Sequence, residues 1–240
     1  MNEDLVSSRY LNGSYAEKNP DWDSSDAPWK AERITELLAS HALHPASMVE
    51  IGCGSGGVLA CLRKRFPEAK IAGFDIAPDV VGFWQAHEGS GICFTLGDFF
   101  AHAQPVPDLI LVLDVLEHLG NPFEFLTRLR NSARHVVFHI PLDLSATSVF
   151  REVPLLHVRD KVGHLHYFTK GLALAMLDEC GFEVIEARYT GAAFSAPQRG
   201  FKTRLAGLLR RLTFAALGDA GVRLLGGETL MVLARPRSGA

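Results

Sequence analysis

Short apolar runs alternate with segments of helical spacing along most of this chain. Met48, Val49 and Ile51 mark a strand at about 47–51, and Val58, Leu59, Cys61 and Leu62 mark a helix over 55–65. Lys70 to Asp75 reads as a second strand, and Pro78 starts the helix after it. Ile92 to Leu96 and Asp108 to Leu113 follow. The latter is a continuous apolar run of the kind that a buried parallel strand needs. Pro122 opens a helix carrying Phe123, Leu126 and Leu129, and His135 to Ile140 is a fifth strand. Thr169 caps the helix Leu172 to Glu179, which Gly181 ends. Phe182 to Tyr189 and Thr229 to Ala234 are the last two strands. Alternation of this kind predicts an α/β doubly wound sheet with helices on both faces.

Three stretches break the rhythm. Residues 1–27 are polar with embedded aromatics and are expected to form an arm, so the main domain is placed at 28–240. Asp26 is positioned to cap a helix from about Pro28 to Ala42, whose apolar face is Ile34, Leu37, Leu38 and His41. Residues 141–168 are too long for a plain connection. Residues 195–226 read as helical, and their six cations (Arg199, Lys202, Arg204, Arg210, Arg211 and Arg223) oppose only Asp219, for a net +5. Leu205, Leu208, Leu209, Leu212 and Phe214 give that segment an apolar stripe. The stripe fits packing on the sheet or on a second subunit. Its cations also fit an anionic membrane surface or a phosphate-bearing acceptor.

With 240 residues and 48% hydrophobic content the chain can bury a full core. A net charge of −3 argues against a general nucleic-acid binder. Four cysteines without CxxC spacing read as thiols rather than disulfides. No apolar h-region occupies residues 1–20 and no run of about 18 apolar residues occurs, so a cytoplasmic protein is expected.

The chemistry concentrates at Val49-Glu50-Ile51-Gly52-Cys53-Gly54-Ser55-Gly56-Gly57, a strand entering a glycine-dense turn before a helix. Such a turn lets a ligand approach the backbone, beside free N–H groups at the helix start. Gly52, Gly54 and Gly57 satisfy GxGxxG, and Asp75 ends the second strand 23 residues after Gly52, placed to accept from ribose hydroxyls. These features fit a dinucleotide and an S-adenosyl nucleotide equally. Three others separate them. Forty-eight residues precede Val49, more than a simple dinucleotide domain needs. Glu50 sets a carboxylate beside the turn, which disfavours a pyrophosphate and favours a ligand carrying ammonium and sulfonium groups. Asp98 follows the third strand, placed to accept from an adenine amino group, with Phe99 against the ring.

On these motifs the chain resembles the class I S-adenosylmethionine-dependent methyltransferases, in particular the bacterial small-molecule branch that includes the ubiquinone-type O-methyltransferases. Glu50 to Gly56 matches the E/DxGxGxG turn, Gly73-Phe74-Asp75-Ile76 the acidic end of strand 2, and Gly97-Asp98-Phe99 the adenine-side acid. Leu113-Asp114-Val115-Leu116-Glu117-His118-Leu119 matches the segment after strand 4, and Gly163 to Thr169 with Leu177 to Phe182 the lead into strand 6. The resemblance implies a seven-stranded, mainly parallel, Rossmann-like sheet of order 3-2-1-4-5-7-6 with strand 7 antiparallel. It implies S-adenosyl-L-methionine as cofactor, held by Gly52, Gly54 and Gly56, with Glu50 near the amino-acid moiety. Asp75 would take the ribose, Ile76 would lie beneath the adenine, and Asp98 and Phe99 would take the base. Leu113, Asp114 and Val115 would line the floor. The opening segment, with Tyr10, Tyr15, Asn19-Pro20, Trp22 and Ala27-Pro28-Trp29-Lys30, is similar to a lid over the methionine end, which adds Tyr15 to the cofactor set.

Methyl transfer needs in-line positioning and, for a hydroxyl acceptor, a base. His118, one helical turn beyond Asp114, is a candidate with a suitable unperturbed pKa, against a purely structural role. His139, with Asp143 after it, stands at the same functional edge. No metal site is expected. His157, Asp160, His164 and His166 lack an acidic cluster or HExxH, and the resemblance accounts for His164 and His166 without one. The leading reading is methyl transfer to an oxygen of a small molecule or glycan, with no nucleic-acid partner and with a homodimer open. An NAD-dependent oxidoreductase, lacking YxxxK, and a non-catalytic methyltransferase-like binding protein are the alternatives.

Overall fold

The computed structural model describes residues 8–22, 24–102, 105–192 and 201–237. Seven strands form one sheet in the order β3-β2-β1-β4-β5-β7-β6, as the resemblance implied. They are β1 Ser47–Ile51, β2 Lys70–Asp75, β3 Ile92–Leu96, β4 Leu109–Leu113, β5 His135–Leu142, β6 Phe182–Tyr189 and β7 Glu228–Pro236. The first five pair in parallel, and β7 runs antiparallel between β5 and β6. β1 sits beside both β2 and β4, so the chain winds away from it in two directions. The crevice at the carboxyl ends of these strands is where such sheets bind ligands.

Every residue of β4 is buried, because helices cover both faces. Ile110 and Val112 point into one core with Val49, Ile51, Val136 and Phe138. Leu109, Leu111 and Leu113 point into the other with Met48, Val137 and Met231. The second core is closed by α1 Ala27–Ser40, through Ile34, Leu37 and Leu38, and by α2 Gly57–Arg65, through Val58, Leu59 and Leu62. The first is closed by α3 Pro122–Leu129, through Leu126 and Leu129, and by α4 Lys170–Glu179, through Ala173, Met176 and Leu177. Thr169 caps α4 by accepting from the Leu172 N–H, as its spacing predicted.

The helix expected from Pro78 is broken into a 3-10 turn, one α-turn Val81–Trp84 and a further 3-10 turn. Gly82 weakens it, and Trp84 is drawn away by donating from its indole N–H to the Gly54 carbonyl at 2.9 Å. Asp26 occupies the N-cap position of α1 without a side-chain cap bond. Residues 141–168 hold two short helices, α5 Ala146–Arg151 and α6 Val153–Lys161. The cation-rich segment is helical at α7 Phe201–Leu217 and α8 Asp219–Leu225. Residues 195–200 of that segment, with Arg199, lie outside the described residues. Phe214 packs on the core, but Leu208, Leu209 and Leu212 are exposed, so that part of the stripe does not pack on the sheet. No helix among the described residues is long and apolar enough to cross a membrane.

The turn after β1 depends on backbone that side chains resist. Gly56 sits at φ +77°, and a Cβ there would stand 2.6 Å from the Phe94 ring. Gly56→Ala is expected to lower the unfolding free energy by about 2–4 kcal/mol, from left-handed backbone strain and overpacking together. Gly82→Ala, with open space around it and ordinary helical backbone, is expected to be neutral or mildly stabilising. Urea denaturation of the two variants checks the contrast.

Candidate active site

One cleft of about 600 Å³ opens at the carboxyl ends of β1, β2 and β4. Thirteen of the fifteen candidates proposed from sequence meet here. The cleft gathers Tyr15, Glu50, Gly52, Gly54, Asp75, Ile76, Asp98, Phe99, Leu113, Asp114, Val115, His118 and His139. Gly56 and Asp143 are not part of its wall. Gly56 is turned towards Phe94 as the N-cap of α2. Asp143 bonds instead to His164 Nδ1 at 2.6 Å.

The glycine turn is tied to β2 by its backbone. Gly52 and Cys53 N–H both donate to the Phe74 carbonyl, at 2.8 and 3.0 Å. Asp75 Oδ2 accepts from Gly54 N–H at 2.8 Å, and Oδ1 accepts from Ala77 N–H at 2.9 Å. Burial pushes the Asp75 carboxyl up while these N–H groups pull it back, and the net shift is upward. Glu50 is 3% exposed, and its Oε2 has no hydrogen-bond partner among the described residues. Burial pushes Glu50 up to about 8, with Lys30 opposing and Asp75 and Asp114 adding to the rise. An unpaired carboxyl at the edge of a glycine cradle fits the ammonium of an S-adenosyl nucleotide and opposes a pyrophosphate.

At the β3 end of the cleft, Asp98 accepts from Phe100 N–H through Oδ1, and its Oδ2 lies 3.8 Å from Arg128. Arg128 lies over the Phe100 ring at 4.2 Å. Phe99 packs edge-on against Phe74 with centroids 5.4 Å apart.

The floor is built around Asp114, which leaves β4 at φ +53°, a strained conformation for a non-glycine residue. That turn aims its carboxylate between a lysine and a histidine. Lys30 Nζ, from α1, lies 2.7 Å from Oδ2, and His139 Nδ1 donates to Oδ1 at 2.7 Å. Burial would raise Asp114, but His139 and Lys30 overcome it and hold the group far below the usual carboxylate range. With Nδ1–H committed to Asp114, His139 Nε2 is left as an acceptor, and the Thr229 hydroxyl donates to it at 2.9 Å. Trp29 packs edge-on against the His139 ring, with centroids 6.0 Å apart.

His118 departs from the expectation of an unperturbed imidazole. It lies among Tyr10, Tyr15 and His164, and burial, aided by His164, lowers its pKa to about 3. A group so reluctant to take a proton is a weak general base. The neighbouring Glu117 is fully buried, with both carboxyl oxygens unpartnered among the described residues, and burial followed by Asp114 drives it well above its usual range.

The opening arm reaches the same cleft. Tyr10, Tyr15 and Trp22 form a chain of tilted rings, with centroids 5.0 and 4.8 Å apart. Lys18 pairs with Asp160 at 2.8 Å, and the Asn19 amide donates to the Lys161 carbonyl, so the arm is fastened to α6.

The sequence places Trp29 and Lys30 in the lid-like segment but not their contacts with His139 and Asp114, and it does not point to Thr229 or to the buried state of Glu117. Thr229 meets His139 only through the β5–β7 register that pairs Pro141 with Thr229.

Residues 25–187 match the model of a family described as a methyltransferase domain. A trans-aconitate 2-methyltransferase of Methylobacterium nodulans is 32% identical over 118 residues, which cover 47% of this chain and 45% of that one. The match thus spans less than half the length of that relative. A malonyl-[acyl-carrier protein] O-methyltransferase of Geobacter sulfurreducens is 25% identical over 222 residues, 91% of this chain and 72% of that one. The plantazolicin methyltransferase, solved with a substrate analogue and S-adenosylhomocysteine, superposes with a TM-score of 0.64 at 16% identity, covering 98% of this chain and 94% of that one. The magnesium protoporphyrin IX methyltransferase of Synechocystis PCC 6803 gives 0.57 at 17% identity, covering 88% and 83%. At such identity the likeness is one of fold. The family match and the antiparallel β7 set aside the oxidoreductase reading.

Glu50 also makes stability depend on pH. Its folded-state pKa of about 8 exceeds the ordinary carboxyl value, so protonation favours the folded state. That contribution is full below the ordinary carboxyl range and is lost as pH rises through 8. Glu50→Gln is expected to flatten the fall in unfolding free energy of the ligand-free protein between pH 5 and 8. Urea titrations at both values measure it.

Proposed function

This chain belongs to the class I S-adenosylmethionine-dependent methyltransferases, and we propose that it moves a methyl group to an oxygen of a small-molecule or glycan acceptor by in-line displacement. The observation that carries the acceptor-oxygen reading is the chain of bonds Lys30–Asp114–His139–Thr229 at the cleft floor. The cofactor supplies an activated methyl group. Backbone at Gly52 and Gly54 would cradle it, Glu50 would face its ammonium, and Asp75 its ribose hydroxyls. Ile76, Asp98 and Phe99 would border the adenine, with Leu113, Asp114 and Val115 below the sulfonium.

His139 Nε2 receives the proton of the incoming oxygen by relay through the Thr229 hydroxyl that donates to it. Asp114 fixes its tautomer and orientation and stabilises the imidazolium that forms, and Lys30 keeps Asp114 ionised. His118, held neutral by burial, shapes the acceptor side instead. The tyrosines of the arm and its bonds to α6 support a lid that excludes water. The relatives described above are methyltransferases of trans-aconitate and of malonyl-acyl-carrier protein. Both molecules carry carboxylates, which makes small carboxylic acids the first acceptors to try.

The test is transfer of a labelled methyl group from S-adenosylmethionine to a panel of carboxylic acids, alcohols and phenols. His139→Ala is expected to lower kcat by about 10²–10⁴-fold with S-adenosylhomocysteine affinity nearly unchanged. An unchanged kcat would remove His139 from the chemistry. Cofactor binding without label transfer to any acceptor would favour the non-catalytic reading.

A further inference from the structure

Glu117, His118 and His164 each turn a metal-ligating atom towards a common point on the cleft wall. Among the described residues these are the one such group, with the three atoms within 4.8 Å of one another. Both His118 Nε2 and His164 Nε2 stand 3.9 Å from Glu117 Oε1. The fold builds this meeting deliberately. Leu165 and His166 N–H both donate to the Glu117 carbonyl, at 2.7 and 3.1 Å, which pins the 163–168 loop against the turn after β4. The two imidazole rings meet edge-on with centroids 4.9 Å apart.

Three further observations point to a ligand. Glu117 is 0% exposed and, among the described residues, neither of its oxygens has a hydrogen-bond partner, an arrangement that costs free energy unless something satisfies it. His118 Nδ1 is also buried and unpartnered. Asp143 Oδ2 accepts from His164 Nδ1 at 2.6 Å, which commits the proton to Nδ1 and turns the Nε2 lone pair towards Glu117. A carboxylate behind a histidine is the usual support of a metal-bound imidazole.

We propose that Glu117, His118 and His164 bind a divalent first-row transition ion, with Zn²⁺ the best fit, and that Asp143 is the positioning residue for His164. Two imidazoles and one carboxylate suit such an ion better than Mg²⁺ or Ca²⁺, which take oxygen ligands. Ligands about 2.0–2.1 Å from a tetrahedral zinc lie about 3.3 Å from one another. The two histidine–glutamate separations of 3.9 Å therefore close by about 0.6 Å on loading, and the third, within 4.8 Å, by at most about 1.5 Å, within reach of side-chain rotation. Asp114 and Asp143 add favourable charge nearby, and Arg9 opposes it. Three protein ligands leave a position for water or for an acceptor oxygen. The other candidates from the same stretch do not join. His166 bonds the Leu119 carbonyl at 2.9 Å, and Asp160 pairs with Lys18. The expectation of no metal rested on residues 157–166 alone, whereas the fold brings Glu117 and His118 to His164 from another element.

The site stands independently of the acceptor assigned above, and its test reads metal rather than methyl transfer. Untagged full-length protein, stripped with a chelator, is titrated with Zn²⁺ by calorimetry and with Co²⁺ by visible absorption. One equivalent is expected to bind at micromolar affinity or tighter and to raise Tm, with a Co²⁺ spectrum of nitrogen and oxygen ligation. Glu117→Gln and His164→Ala should abolish that equivalent, and Asp143→Asn should weaken it by about 10–100-fold. Metal-free melting curves show whether each variant folds, and S-adenosylhomocysteine binding reports the cofactor site separately. Absence of stoichiometric binding in the wild type, or binding that persists in the folded Glu117→Gln and His164→Ala variants, overturns the proposal.

Discussion

Four carboxyl groups along one wall of a single cleft, three buried and Asp114 half-buried, constrain everything around them. Glu50, Asp75, Asp114 and Glu117 line the same space, and a low-dielectric site cannot hold four unpaired negative charges. They are accommodated in three ways. Asp75 spends its oxygens on the backbone N–H groups of Gly54 and Ala77. Asp114 stays ionised between Lys30 and His139. Glu50 and Glu117 have no such partners for their free oxygens, and burial lifts both towards the neutral form. A cleft balanced in this way favours cationic ligands, which restore charge to groups that have lost it. A sulfonium cofactor with an ammonium, and a divalent ion beside it, are the two such ligands that its geometry accommodates.

The sheet explains why these acids converge. Glu50 lies within β1, Asp75 ends β2 and Asp114 follows β4, and these three strands are neighbours with their carboxyl ends at one edge. Glu117 follows within one turn. The left-handed backbone at Asp114 is the strained element that aims one carboxylate at both Lys30 and His139. Helix α1 supplies Lys30 from one side and β7 supplies Thr229 from the other, so the floor is assembled from parts far apart in the chain.

What could be read from the sequence follows from the same division. Strands were legible because burial on both faces turns them into short apolar runs, and the acids were legible because they stand at strand ends in a recognisable order. Thr229 carries no signal, and Trp29 and Lys30 show only in the lid-like segment, since the partners of all three are set by packing and by strand register. His118 was misjudged because an unperturbed pKa presumes exposure, and the arm's tyrosines remove it. Asp143 was placed at the functional edge by its distance from β5, but its carboxylate turns to His164. The break in the helix after Pro78 followed from Trp84, whose indole bonds the glycine turn.

The central claim, that an unpaired buried acid at the glycine turn receives the cofactor's ammonium, is tested most directly by proton-linked calorimetry. S-adenosylhomocysteine binding is measured near neutral pH in buffers of differing ionisation enthalpy, for the wild type and Glu50→Gln. Ionisation of Glu50 on binding predicts release of about one proton in the wild type and none in the variant. Binding without proton release, or release that Glu50→Gln leaves unchanged, would contradict the account.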